Sequence, residues 1–314
     1  MDKKSLGQGM EAETLLRNHL NVTWLRPENV VWDTTASSII SKFEIMPPSL
    51  DLGCGNGIFS FITAGGNFSP DFDWYINVEP QRFWENKDIY DICKINALGN
   101  YIIKRPAYNF TFGLDHKNNL LKQAGALSFY EDLIQHDANL ALPFEEGQLR
   151  TVFSNIVYWL KDPKQSLTEI NRILDKGGLA LLCVPNNKFL EYCFTYHWEE
   201  RNSPLLKKLN RGRSVNMCWR MDRKQFSTLA ESIGFEVVYH EYYLSKLTLS
   251  IWDIGLRPLS PMLIKMANTL NPETRRAIKI EWVETLLDFL IPLYEMEINS
   301  QEEKGFHFFA LEKV

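Results

Sequence analysis

Leu50-Asp51-Leu52-Gly53-Cys54-Gly55-Asn56-Gly57 decides how this chain folds: an apolar strand end runs into glycines at alternate positions, then into a helical stretch from Ile58 to Ala64. Glycine tolerates positive φ and has no Cβ, so a backbone built this way passes close to a ligand. The helix that follows turns its free N–H groups and positive dipole end toward that ligand. The plainer reading is a tight strand-to-helix turn with nothing bound. The spacing is G-x-G-x-G with an acid two positions ahead of the first glycine. A dinucleotide fingerprint, G-x-G-x-x-G, needs glycine at position 58, where the chain has Ile58. That disfavours NAD or FAD and makes a nucleotide-dependent oxidoreductase the weaker alternative.

Working outward, strand and helix patterns alternate. Phe110 to Asp115 reads as a strand, and Asn118-Asn119-Leu120-Leu121 as a helix start. Thr151 to Leu160 reads as a buried parallel strand and the turn after it. Asp162-Pro163 opens a helix whose apolar stripe is Leu167, Ile170, Ile173 and Leu174, with Asp175-Lys176-Gly177-Gly178 ending it. Leu179 to Val184 is a fully apolar strand. Asp222 to Ile233 is a helix closed by Gly234, Phe235 to Tyr239 another strand, and Gly305 to Leu311 a final one.

The motif Asp51-x-Gly53-x-Gly55-x-Gly57, followed in order by Asp115, His136-Asp137-Ala138-Asn139 and Leu142-Pro143-Phe144, resembles the class I S-adenosylmethionine (SAM)-dependent methyltransferases, type 11 in particular. The resemblance covers residues 47 to 65, 109 to 185 and 220 to 243, and it includes the last strand. It implies a Rossmann-like α/β fold with a seven-stranded sheet whose last strand is antiparallel. It also implies SAM as cofactor, with Asp51, Gly53, Cys54, Gly55, Asn56 and Gly57 around its methionine end. An acid closing the second strand holds the ribose hydroxyls in this family. Asp115, with His116 beside it, is the preferred residue, and Glu79, at the ~20-residue interval of a simple βαβ unit, is its rival. Choosing Asp115 makes residues 66 to 108 an insertion. Asp137 accepts from the adenine amino group and the Ala138 N–H reaches a ring nitrogen. Asn155, Tyr158 and Trp159 lie near the transferred methyl.

The resemblance and the length of 314 residues give one catalytic core, 46 to 243, with a helical cap (1 to 45), a helical insertion or lid (244 to 304) and a closing strand (305 to 314). A formal charge of −5 and only short Lys/Arg runs give no basic footprint, so nucleic acid is a poor partner and a small-molecule substrate is expected. The five cysteines, Cys54, Cys93, Cys183, Cys193 and Cys218, form no Cys-x-x-Cys pair and read as reduced thiols with no zinc spacing. Neither a signal peptide nor a run of ~20 apolar residues is visible, so a cytoplasmic location is expected.

Three regions outside the core carry specificity. Glu11 to Ile45, with Trp24-Leu25-Arg26-Pro27-Glu28 and Trp32-Asp33, looks like the cap folded over SAM. Asn186 to Met221 holds Tyr192, Tyr196, His197, Trp198, Glu199, Glu200 and Arg213 above the strand ends. There His197 is the candidate general base, its ordinary pKa of ~6.5 suiting the task, with Tyr158 as a second catalytic residue. Leu244 to Ser300 is either a helical lid or dimer surface with a buried apolar face, or an apolar face meeting a membrane or a lipid-like acceptor. Ser154-Asn155-Ile156-Val157-Tyr158 lacks the Asn/Asp-Pro-Pro-aromatic signature of amino-group methylation, which favours oxygen or carbon acceptors. No metal cluster is evident. A SAM-binding protein with another activity, or with none, is the alternative.

Overall fold

The computed structural model describes residues 12–76, 78, 98–199, 217–255 and 259–314, with backbone alone for 198 and 199. Two helices, α1 (Ala12–Val22) and α2 (Val30–Ile40), precede β1 (Ser49–Leu52) and α3 (Ile58–Thr63). A small antiparallel pair, β2 (Asn67–Phe68) with β3 (Ile102–Lys104), lies ahead of β4 (Phe110–Asp115). Then come α4 (Asn118–Gly125), β5 (Tyr130–Gln135), β6 (Leu149–Ser154), α5 (Pro163–Ile173) and β7 (Leu174–Pro185). Short helices α6 (Lys188–Tyr192) and α7 (Phe194–Glu199) lead on to α8 (Arg223–Ile233) and β8 (Phe235–Tyr243). Three more helices, α9 (Lys246–Ile254), α10 (Ser260–Ala267) and α11 (Pro272–Asn299), separate β8 from β9 (Phe306–Lys313).

The main sheet has seven strands in the order β5-β4-β1-β6-β7-β9-β8. Every neighbouring pair from β5 to β7 is parallel, and β9 runs antiparallel to both β7 and β8. This is the expected fold, last strand included. β1 is buried along its whole length, as a central strand covered on both faces must be. From β1 the chain goes to β4 and β5 on one side and to β6 and β7 on the other. The crevice at the carboxyl ends of β1 and β6 is therefore the point where the strand order reverses, where open α/β sheets bind ligands. The register Leu52↔Leu114 sets the end of β1 beside the end of β4. The acid that closes the strand next to β1 is thus Asp115; Glu79 lies outside the described residues.

Local chemistry explains the helix ends. Asp162 accepts from the N–H groups of Lys164 and Gln165 with Pro163 in the first turn. Asp222 and Gln225 form a reciprocal capping box on α8, and Gly234 closes that helix at φ +101°. Two boundaries differ from the sequence reading. Asp175 to Gly178, read as a turn, already belongs to β7: Leu149 pairs with Leu174, and a register shift before Thr151 absorbs the extra residues. β8 runs on to Tyr243 because β9 pairs with it as far as Tyr243↔Phe306.

The cap helices and α11 are joined through buried polar groups as well as apolar ones. Lys279 on α11 donates to Asn21 Oδ1 at 2.7 Å, to the Pro70 carbonyl at 2.9 Å and to the Phe72 carbonyl. Beneath them, Phe61, Phe110 and Phe129 pack edge to face, and Phe306, Phe308 and Phe309 fill the sheet at β9.

Candidate functional site

The three loop glycines all stand at positive φ: Gly53 at +83°, Gly55 at +56° and Gly57 at +75°. The loop is pinned to the end of β4. Gly53 and Cys54 both donate their N–H to the Leu114 carbonyl, at 2.8 and 3.0 Å, and Gly55 donates to Asp115 Oδ2 at 3.0 Å. Asn56 Oδ1 accepts the Ile58 N–H at 3.2 Å, tying down the start of α3. A Cβ tells the glycines apart. On Gly53 it would come 2.1 Å from Ile156 Cγ1, and on Gly57 2.8 Å from the Tyr130 ring, so both face protein. On Gly55 it would meet only Leu120 Cδ1 at 4.0 Å. Gly55 is thus the position where the missing side chain leaves room for a ligand.

The electrostatics of the loop are negative. Asp51 is buried at the end of β1, and the Tyr130 hydroxyl donates to its Oδ2 at 2.7 Å. Burial pushes the Asp51 carboxyl up to about 6, opposed by hydrogen bonds from Ser60 and Tyr130 and reinforced by the charge of Asp115. Burial also raises the Cys54 thiol and the Tyr108 and Tyr130 phenols, and in all three the charge of Asp51 adds to the rise. The loop thus offers an open backbone face at Gly55 inside a negative field.

The other residues singled out from the sequence separate into those brought to this loop and those left apart. The His136 N–H donates to the Asp115 carbonyl at 3.1 Å, so Asp137 and Ala138 follow directly on the ends of β4 and β5. Asp137 is exposed; its Oδ1 takes both the Asn139 N–H and the Asn139 side-chain amide at 2.9 Å, and these bonds hold its carboxyl below the usual range. A surface depression lined by Asp137, Ala138, Asn139, Leu140, Lys161 and Asp162 lies there. Asp115 is buried and also accepts the Lys117 N–H at 2.8 Å, while His116 is largely exposed with Nδ1 3.5 Å from Asp115 Oδ1. Asn155 is partly buried at the end of β6. Tyr158 is buried, its phenol raised by burial, and its ring meets Phe306 edge to face at 5.5 Å. His197 stands apart: it is exposed on α7, with Nε2 at 3.0 Å from the Glu191 carbonyl. Glu200 and Arg213 and the side chains of Trp198 and Glu199 lie outside the described residues.

Sequence reading missed several participants. Tyr130 and Ser60 hold Asp51, and Ile156 backs Gly53; no motif marks them, because each arrives from a different element. Tyr243, at the end of β8, meets Phe306 edge to face at 5.5 Å. The Trp32-Asp33 pair is visible in the sequence, but nothing local distinguishes Asp33 from a surface acid.

Comparison with known proteins sharpens the picture. The sequence model of the methyltransferase domain family matches residues 99–182, from the turn before β3 into β7. No curated protein matches the sequence significantly. Among solved structures, the chain is similar to a SAM-dependent methyltransferase from Thermotoga maritima, with 11% identity, 91% of this chain and 93% of that one covered, and a TM-score of 0.46. It is similar to an S-adenosylmethionine-dependent methyltransferase from Mesorhizobium loti, with 11% identity, 91% and 98% covered, and a TM-score of 0.41. A third is geranyl diphosphate C-methyltransferase from Streptomyces coelicolor A3(2), in complex with Mg2+, geranyl diphosphate and S-adenosyl-L-homocysteine, with 12% identity, 100% and 88% covered, and a TM-score of 0.42. The family match takes in β4, β5 and β6, and the glycine loop is hydrogen-bonded to the end of β4. On that basis residues 99–182 are similar to a methyltransferase domain, and the glycine loop adjoins that stretch.

Proposed function

We propose that this protein is a class I SAM-dependent methyltransferase, with SAM as its cofactor, that moves the SAM methyl to an oxygen or a carbon of a small-molecule acceptor held over the carboxyl ends of β6, β7 and β8. The observation that carries the cofactor half is the open face of Gly55 beside Asp51 and Asp115. Asp51, Gly53, Cys54, Gly55, Asn56 and Gly57 take the methionine end. Asp115 and His116 take the ribose, Asp137 and Ala138 the adenine side, and Asn155 lies by the transferred methyl. When bound, SAM supplies a methyl on an excellent leaving group, open to in-line attack by the acceptor. The chain's part is to align the acceptor and exclude water, effects that supply ~7–11 kcal/mol. Tyr158 and the rings around it wall the acceptor side; His197 is the base proposed from the sequence.

The exposed Met262, Met266 and Phe289 on α10 and α11, with Lys265 among them, support a peripheral contact of 244–300 with a membrane or a lipid-like acceptor. No helix among the described residues is long and apolar enough to cross a membrane. The net charge of −5 favours a small molecule over nucleic acid.

Titration calorimetry with SAM, S-adenosylhomocysteine and NAD tests the cofactor, with tight binding of the first two and none of the third expected. Mass spectrometry of a cell extract incubated with enzyme and SAM then looks for products heavier by one CH2. Tyr158→Phe and His197→Ala are expected to lower turnover with SAM affinity unchanged. If the His197→Ala pH profile matches the wild type, His197 is not the base.

A further inference from the structure

We infer that the long helix α11 is a dimerisation face: two copies of the chain pair through it, antiparallel, along a stripe of apolar side chains centred on Phe289. The inference does not depend on the methyl-transfer reading.

α11 carries two rows of side chains where a surface helix needs only one. Val283, Leu287, Leu290, Tyr294 and Glu297 are buried against the rest of the chain. One position ahead of each, ~100° round the helix, stand Trp282, Leu286, Phe289, Leu293 and Met296. The spacing of this second row is 4-3-4-3, the a/d repeat of a helix that packs on another helix, and it runs along ~21 Å of the axis. Trp282, Leu286 and Leu293 are half-buried against the core, but Phe289 is 69% exposed and Met296 57%. A lone exposed apolar residue needs no explanation; a whole seam of them marks a contact the chain does not make with itself.

The charges beside the seam select its occupant. In paired helices the flanking rows set partner choice. One flank here is the buried row. The other is Ile278, Thr285, Pro292 and Asn299, seven apart, all exposed and none charged. A charged partner helix would find no countercharge beside the seam, whereas two copies of α11 meet across it without a like-charge contact. The exposed acids Glu281, Asp288 and Glu295 each stand one position before a stripe residue, another ~100° away. Lys279, the one base between Arg276 and Ser300, is buried. An anionic membrane laid on this face would meet those acids and no exposed base, so lipid fits it poorly.

The order of the stripe selects the orientation. Read backward, 4-3-4-3 becomes 3-4-3-4, so in an antiparallel pair the side chains of one copy fall between those of the other around a two-fold axis near Phe289. Each Phe289 then packs among Leu286, Phe289 and Leu293 of the second copy, and Trp282 lies toward its Met296 end. Such an interface uses the same patch twice and closes at two copies.

Sedimentation equilibrium of the full chain across the micromolar range is the test, with a mass of twice 36.6 kDa expected. Phe289→Glu and Phe289→Lys each set like charges against one another at the two-fold and should weaken self-association by ~10²-fold or more. Their circular dichroism should match the wild type, because the side chain is exposed. Mixed in equal amounts at low salt, the two variants should recover the dimer, a rescue that a merely structural residue would not give. Leu140→Glu, at an exposed apolar side chain outside α11, should leave the dimer intact. A wild type that stays monomeric throughout the range overturns the inference, as does a dimer that survives either Phe289 variant or a mixture that restores none. Flotation of the wild type with phosphatidylglycerol vesicles that is lost in Phe289→Glu would assign the face to lipid and overturn it too.

Discussion

Buried charges are treated in opposite ways in two regions of this molecule. Where α11 meets the cap and β8, they are paired. Glu297, with none of its surface exposed, accepts the N–H groups of Leu244 and Ser245 at 2.9 and 2.7 Å, the Thr248 hydroxyl at 2.6 Å and the Lys304 ammonium at 3.1 Å. Arg275 meets Asp73 at 2.7 Å, and Asp73 also takes Trp24 Nε1 and the Tyr75 N–H. At the carboxyl edge of the sheet, Asp51 has two hydroxyl donors, and on α2 Asp33 feels the charge of Arg26. Burial pushes Glu297, Asp51 and Asp33 up. At Glu297 the hydrogen bonds of Thr248 and Ser245 and the charge of Lys304 outweigh it and the carboxyl ends low, while Asp51 and Asp33 end high, at about 6 and about 7. The acids of the first region, Glu297 and Asp73, each take several donors from the surrounding chain. The raised carboxyl of Asp51 lies where a cationic cofactor is proposed to sit.

Breaking the paired side should therefore have the largest effect. Glu297→Ala strands the Lys304 ammonium and the two backbone N–H groups that lead into α9, and removing one partner of a buried pair destabilises by about 3–5 kcal/mol. Urea unfolding of the variant is the measurement; a loss below about 1 kcal/mol would sink the idea that this carboxylate clamps β8 to α11.

The loop glycines sharpen the contrast at a smaller scale. Gly53→Ala drives a methyl into Ile156 from a left-handed backbone and should destabilise the whole protein by about 1–3 kcal/mol. Gly55→Ala meets open space, so its stability cost is only the positive φ, about 1–2 kcal/mol, but the methyl occupies the proposed SAM face and affinity should collapse. Asp115→Ala is expected to weaken SAM by about 1.5–3 kcal/mol per lost charge-assisted bond. Thermal melts and calorimetry separate these outcomes. A Gly55→Ala protein that binds SAM normally removes the loop from the cofactor site.

Much of the fold was legible because its signals are local. Apolar runs gave the strands, Asp162-Pro163 and Asp222 gave the caps, and the alternate glycines gave the turn at Gly53, Gly55 and Gly57. The preference for Asp115 over Glu79 used only the order of downstream segments, and the pairing of β4 with β1 places Asp115 at the matching strand end. What escaped was long-range. Tyr130 reaches Asp51 across 79 positions, and the Asp33 environment assembles from α2, the turn after β6, and the end of β8. His197 was chosen by residue type and by its place after the fifth strand, whereas its ring rests on Glu191 of the neighbouring helix. An intrinsic pKa says nothing about what a side chain touches.

The most discriminating expected effect reads the raised Asp33 carboxyl with no ligand present. Asp33 has a folded pKa raised to about 7 from 3.8, so the folded state holds a proton that the unfolded chain releases between those values. Its contribution to stability is then present at acid pH and is lost as pH rises through that window. Buried His19, lowered from 6.5 to about 3 by burial, works the other way: the unfolded chain takes up a proton below 6.5, and stability falls as pH drops toward 3. In the wild type the two trends partly offset each other in mild acid. Asp33→Asn cannot titrate, so it should be more stable than the wild type above neutrality, by roughly 1–3 kcal/mol, and should lose stability more steeply on acidification. Urea unfolding across the range from mild acid to mild alkali reads both slopes. Parallel curves for the two proteins would mean that Asp33 is solvated like any surface acid, and the contrast between the two regions would shrink to Asp51 alone.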